Sequence, residues 1–413
     1  MKKTVFSLLA LLFVFSSAGY GASTIFLRIT KNLQEKAELV ILFGMKEDNY
    51  WKDLMKILER DLGYSGYFSI TESLFVDNPA ESKKKYSTEI MLTGEKTADG
   101  INIRVEDLLE EKTLFEKSYK RQADADPSYL AHTINNDIVF YFTGKPGMAL
   151  SKILFVSDAT GKYQLYCIDY DGENMARLTD AEYLVHYPKW LVPNREMLYV
   201  SYEGGWAKLM HMNLTSGRTK MLIGEPGLNA CASPCPATGE LAVILSKTGR
   251  PNVYVYDFEG KQKRQVTAGN STDASPSFSP DGSMIAFVSD RRGSPQIYTM
   301  TKDGYRVSRI SFVSGYSTSP AWSPDGNYIA YVFMNGSSFG LAVYENATQE
   351  TRIVNASLGS EDISWAPDSR HIVYADMKSR PSSLMIIDIV NGEKRRLQSG
   401  KANFFSPSWS NFY

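Results

Sequence analysis

The chain has 413 residues, 43% of them hydrophobic, which is enough for two domains with separate cores. Its 45 Lys and Arg face 46 Asp and Glu, for a net charge of −1. That balance excludes the strongly basic surface nucleic-acid binding requires, and the one basic triplet, Lys83-Lys84-Lys85, reads as a solvated loop.

Residues 1–22 read as a signal peptide. Lys2 and Lys3 form the basic start, Val5 to Phe15 is apolar but for Ser7, and small residues follow from Ser16 to Ala22. The apolar run is too short for a comfortable membrane span. No cysteine lies there for a lipid anchor, and no later segment reaches spanning length. The expected mature protein is exported and not membrane-spanning.

Residues 23–145 read as an α/β domain. Strands are expected at 24–29 and 37–43. Trp51, Leu54, Leu58 and Leu62 then mark one face of a helix, with Gly63 as its stop. A strand at 67–70 and a meander at 89–94, 100–105 and 113–118 follow. Asp126-Pro127 starts a second helix, Asp as cap and Pro in the first turn, with Leu130, Ile134, Ile138 and Tyr141 as the buried stripe.

Residues 151–413 repeat. Anchoring prolines stand at 193, 236, 280, 324 and 367, in steps of 43, 44, 44 and 43. A period of that length indicates propeller blades. Within a unit an aromatic residue (Trp190, Phe278, Trp322, Trp365 or Trp409) ends a short strand. Pro-Asp-Gly makes a tight turn, and an apolar run such as Ile285-Ala286-Phe287-Val288 forms the next strand. Two more strands complete a four-stranded blade.

The first unit, from Ile153, lacks the strand that should precede it. Ser406-Pro407-Ser408-Trp409 supplies it, since Trp409 lies 44 residues after Trp365. The fold class expected is therefore an α/β N-terminal domain followed by an all-β six-bladed β-propeller, closed by its C-terminal strand so that no long edge stays unpaired.

Apparent chemical motifs resolve into turns. Gly336-Ser337-Ser338-Phe339-Gly340 matches a nucleophile elbow, but it lies between two blade strands rather than between a strand and a helix. Asp169-Tyr170-Asp171-Gly172-Glu173-Asn174 begins like a calcium loop but lacks the distal Glu. Asp281, Asp325 and Asp368 sit in turns, where carboxylates bond nearby amides. Cys231 and Cys235 share a loop and have the spacing to pair, while a zinc site there lacks a second ligand pair. With four histidines and no separate catalytic domain, no catalytic, metal or cofactor residue is assigned.

The loops leading into the innermost strands line one mouth of a propeller's channel. They differ from each other while their flanks repeat, as binding loops on a rigid scaffold do. Partner-binding candidates are Tyr187, Asn229, Thr272, Asp273, Tyr316, Ser317, Glu361 and Phe404.

The whole pattern resembles the TolB family of the Tol–Pal system. The residues that carry the likeness are the signal segment, the helix before Gly63-Tyr64-Ser65-Gly66-Tyr67-Phe68, and the passage Phe142-Thr143-Gly144-Lys145-Pro146-Gly147 into the blades. The blade motifs also resemble propellers attached to serine peptidases; the α/β domain in front distinguishes the two. The resemblance implies a non-enzymatic periplasmic protein, a monomer without cofactor. It implies binding of a peptidoglycan-associated lipoprotein at the propeller mouth. It further implies a TolA-like inner-membrane partner reached through an N-terminal segment, Thr24, Ile25, Phe26, Leu27 and Arg28. Such a protein supports outer-membrane integrity and constriction at division. The alternatives are an exported propeller for another ligand, or a regulatory propeller related to serine peptidases. Two units depart from the pattern, at Pro234-Cys235-Pro236 and Trp190-Leu191-Val192-Pro193, and are expected to alter the mouth.

Overall fold

The computed structural model describes residues 35–44, 48–122 and 125–411. The signal peptide, the strand expected at 24–29 and the segment Thr24 to Arg28 lie outside the described residues.

The N-terminal domain is a five-stranded mixed sheet. Strand β1 (Ala37–Gly44) lies between β2 (Phe68–Phe75) and β3 (Ile90–Lys96) and is parallel to both. Strands β4 (Gly100–Asp107) and β5 (Lys112–Lys120) extend it antiparallel. Alternation along β1 sends Leu39, Ile41 and Phe43 toward the helices Asn49–Tyr64 and Pro127–Thr143. Val40 and Leu42 face the other way, under Val76, Tyr86 and Leu108.

Both helices start as expected: the side chains of Asp48 and Asp126 accept backbone N–H groups of the first turn. Two details differ from the sequence reading. Gly63 stays inside the first helix, and the chain reverses at Gly66, φ 81°. Glycine is required at that position, because a Cβ would lie 2.8 Å from the Arg370 guanidinium. In the second helix Phe142, not Tyr141, is buried. That helix packs on the first and also buries Ala131, His132, Asn135 and Val139, which rotates its buried face away from Tyr141.

The rest of the chain forms six four-stranded sheets. Blade 1 takes its inner strand, Phe404–Trp409, from the C-terminal end and pairs it with Lys152–Ser157. Blades 2 to 6 have inner strands Val185–Val192, Asn229–Cys235, Asp273–Phe278, Ser317–Trp322 and Ile363–Trp365. The second strands are buried along nearly their whole length, as their apolar sequences require. Neighbouring inner strands are stitched together: the Phe278, Trp322 and Trp409 amides donate to Ser233, Ser277 and Ser364 hydroxyls of the preceding blade at 2.9–3.1 Å. All three cysteines are free thiols.

Antiparallel strands alternate direction, so each blade has two distinct ends. The proline turns collect at one end and the lead-in loops at the other. The departures at Pro193 and Pro234-Cys235-Pro236 therefore belong to the turn end, an inner strand's length from the mouth they were expected to alter. The N-terminal domain sits on the turn end. Lys145 pairs with Asp325 at 2.9 Å, Lys36 with Glu393 at 2.7 Å and Arg60 with Asp171 at 2.5 Å.

The centre of this joint is buried and charged. Asp61 is fully buried; it receives the Tyr170 hydroxyl and lies 2.6 Å from His132 Nδ1. Asp171, whose side chain is 3% exposed, lies 3.7 Å from His132 Nε2. Arg395 stacks on Tyr64 at 4.2 Å and donates to the Tyr170 carbonyl. Nearby, Arg370 is held by Asp388 at 2.7 Å and stacks on Tyr67 at 4.6 Å.

Candidate functional site

The opposite end of the propeller is open. Inner strands there are kinked by a bulge, and the same position is left-handed in five blades: Tyr187, Cys231, Ser275, Ser319 and Ser406, with φ between 45° and 52°. Such a conformation is strained for a residue with a Cβ, and bulges re-aim side chains beside binding sites. In four of the five a proline follows (Pro188, Pro276, Pro320, Pro407), whose fixed φ helps hold the kink. These residues ring a central channel of about 290 Å³.

Blade 6 breaks the ring. Its inner strand is only three residues long and pairs without a bulge. In place of a kink it presents Glu361 and Asp362, which line the channel beside Tyr187 and Ser406. Asp362 accepts the Ser406 hydroxyl at 2.7 Å, and His186 Nδ1 lies 3.2 Å from the same oxygen.

This environment sets the charge states. Burial, and then the neighbouring Asp362, holds the Glu361 carboxyl above its ordinary range. Burial pushes the Tyr187 hydroxyl up to about 12 and the Cys231 thiol up to about 11, with Asp362 adding to both. Both groups are therefore uncharged at neutral pH. Burial lowers His186 against the opposing pull of Asp362.

A second cavity, of about 490 Å³, adjoins the mouth over blade 6. One wall is the hairpin between strands Tyr328–Asn335 and Ser338–Glu345. These run eight residues, against six in the matching strands of blade 4. The other walls are the 359–362 loop, Met377 and Lys378, and Phe405. Around the mouth, large apolar side chains stand in solvent, with Trp206 53% and Phe312 72% exposed and Tyr163, Leu184, Met334 and Met377 also exposed.

The sequence candidates divide. Tyr187 and Glu361 line the channel. Thr272 and Tyr316 are half-buried in their loops. Asn229, Asp273, Ser317 and Phe404 are buried. Asn229 spends its amide on the carbonyls of Ala207, Glu225 and Gly227, Asp273 meets Arg291 at 3.4 Å, and Phe404 packs on Phe155 at 5.7 Å. All four are the first residues of inner strands, where pleating already turns side chains into the blade. His186, in the inner strand of blade 2, and Asp362, in the lead-in to blade 6, are not singled out by the sequence; the proline two residues before the aromatic is the sequence signal for the kink in four blades, and its absence before Trp365 marks the gap. The motif serine Ser338 lies in a β-hairpin and bonds Ser357 at 3.1 Å. Among the described residues, no group of three or more His, Cys, Asp or Glu is placed to hold a metal ion.

Comparison with known proteins agrees with this architecture. A family model, the TolB beta propeller domain, matches residues 140–413. A TolB homolog of Chlorobium chlorochromatii is 31% identical over 189 residues, which are 46% of this chain and 42% of that protein. A Tol-Pal system protein TolB of Desulfosudis oleivorans is 30% identical over 227 residues, 51% of each chain. The matched stretches thus span about half the length of these curated relatives. The crystal structure of TolB from Acinetobacter baumannii superposes over 92% of this chain and 97% of its own, with a TM-score of 0.78 at 24% identity, so the fold is common to both domains. The propeller that forms this mouth makes the chain a member of the TolB family.

Proposed function

We propose that the chain is a non-enzymatic, periplasmic interaction protein of a Tol–Pal-type envelope system. It binds a peptidoglycan-associated lipoprotein at the propeller mouth and a TolA-like inner-membrane partner through the segment Thr24 to Arg28, and so supports outer-membrane integrity and constriction. The observation that carries this reading is the contrast between the propeller's ends. At one end the N-terminal domain packs on blades 1, 5 and 6, and the other end surrounds the channel with exposed Trp206, Phe312 and Tyr187. Apolar rims of this kind mark protein interaction sites. The Tol-Pal name of the Desulfosudis relative supports the system. Among the described residues no helix is long and apolar enough to cross a membrane.

A hydrolytic role fits less well. Ser406 bonds both Asp362 and His186, so the serine stands between acid and base. In a catalytic triad the histidine takes that place.

The test is calorimetric titration of the full chain with the soluble domain of the organism's own peptidoglycan-associated lipoprotein. A complex is expected, weakened by about 2 kcal/mol or more when a mouth anchor, Trp206, is changed to Ala. Deleting residues 24–28 should leave that complex intact and abolish binding of the TolA-like protein. Absence of both complexes, with folded protein confirmed, rejects the reading.

A further inference from the structure

The ring of kinked inner-strand residues is interrupted at one blade only. The short inner strand of blade 6 lacks the left-handed residue that the other five blades carry. Beside the gap stands the Gly336 hairpin, and it is braced rather than loose. Asn335 Nδ2 donates to the Ala356 carbonyl at 3.0 Å, Ser338 meets Ser357 at 3.1 Å, and Lys378 Nζ reaches the Ser357 carbonyl. A wall fixed before binding lowers the ordering cost of association. The groove so formed has an acidic inner end at Glu361 and Asp362, apolar sides at Phe339, Met377 and Phe405, and a basic outer end at Lys378.

We infer that this groove is the track on which a loop of the partner protein lies, with a basic side chain seated at Glu361 and Asp362 and an acidic one at Lys378. The assignment rests on the reading of the mouth as the lipoprotein site and adds its polarity: the partner approaches over blade 6, not symmetrically over the ring. Charge complementarity gives the orientation, since a reversed loop would set like charges together at both ends. The apolar sides supply contact area for the residues between the two charges.

A photo-crosslinking residue placed at Ser337 or Met377 of the full chain tests the track. Controls at Thr248 and Arg292, on blades 3 and 4, sample the far side of the mouth. With the soluble lipoprotein domain as probe, cross-links are expected from Ser337 and Met377 and not from Thr248 or Arg292. Glu361→Lys should weaken the complex at least about tenfold. Reversing the basic residue of the cross-linked lipoprotein loop should restore it, while Arg292→Glu should stay within about twofold. A tight complex that cross-links only from Thr248 or Arg292 overturns the groove and leaves the proposed function standing. No complex with the unsubstituted chain overturns both.

Discussion

The two ends of the propeller use one scaffold in opposite ways. At the turn end the sequence repeats, and its carboxylates are satisfied locally. Asp281 and Asp325 each accept the amide two residues on, and Asp368 accepts those of Arg370 and His371. Because the turns hold themselves, individual ones are free to dock the N-terminal domain, Asp325 through Lys145 and blade 6 through Arg370. At the mouth end the loops differ, and apolar and acidic groups face solvent. Repetition marks what builds the propeller, and its interruption marks the mouth.

If the turn end is the structural one, substitutions there should cost far more stability than at the mouth. The largest loss is expected for Asp61→Ala, which strips His132, Tyr170 and Arg60 of a buried acceptor. Breaking such a network typically costs about 3–5 kcal/mol, readable by denaturant unfolding. A cost below about 1 kcal/mol would mean that the joint does not hold the fold. Gly66→Ala should follow, at roughly 1–3 kcal/mol, because the new methyl meets Arg370 in a left-handed turn.

An acid titration separates the ends further. Burial pushes the Asp368 carboxyl up, but His371 and the turn amides more than offset this and hold it below its ordinary value. A depressed carboxylate stabilises the fold above its unfolded pKa, about 3.9, and the contribution is lost as pH falls through the folded value. Asp368→Asn should therefore show a shallower loss of stability below about pH 4 than the parent chain. An unchanged slope would remove Asp368 from the account. The smallest stability effect belongs to the mouth: Trp206→Ala should change unfolding by no more than about 0.5 kcal/mol while still weakening partner binding.

The same division governs what the sequence discloses. Blades, turns and ring closure are legible because a 44-residue period leaves a signal at every repeat. The joint leaves none of that kind. Asp61 interrupts the apolar face of Leu54, Leu58 and Leu62, and His132 falls on a buried helix position. Each looks like an isolated polar residue until folding brings them together. The mouth is legible as a set of loops but not as geometry, since a backbone kink at Ser275 or Ser406 has no sequence period of its own beyond the proline after it. Buried Asn229, Asp273, Ser317 and Phe404 show the limit: one residue along a strand reverses inside and outside.

The inner strand of blade 1 is the last element of the propeller to be synthesised. Its Trp409 indole donates to Ser151, 258 positions earlier. No order of folding events can finish the ring before that strand arrives, and the search for its partner spans the whole domain. Until then blade 1 offers a bare strand, Lys152–Ser157, to any passing chain. The architecture thus ties closure of the ring to its last strand, and a chain interrupted before Phe404 would leave that edge of blade 1 unpaired.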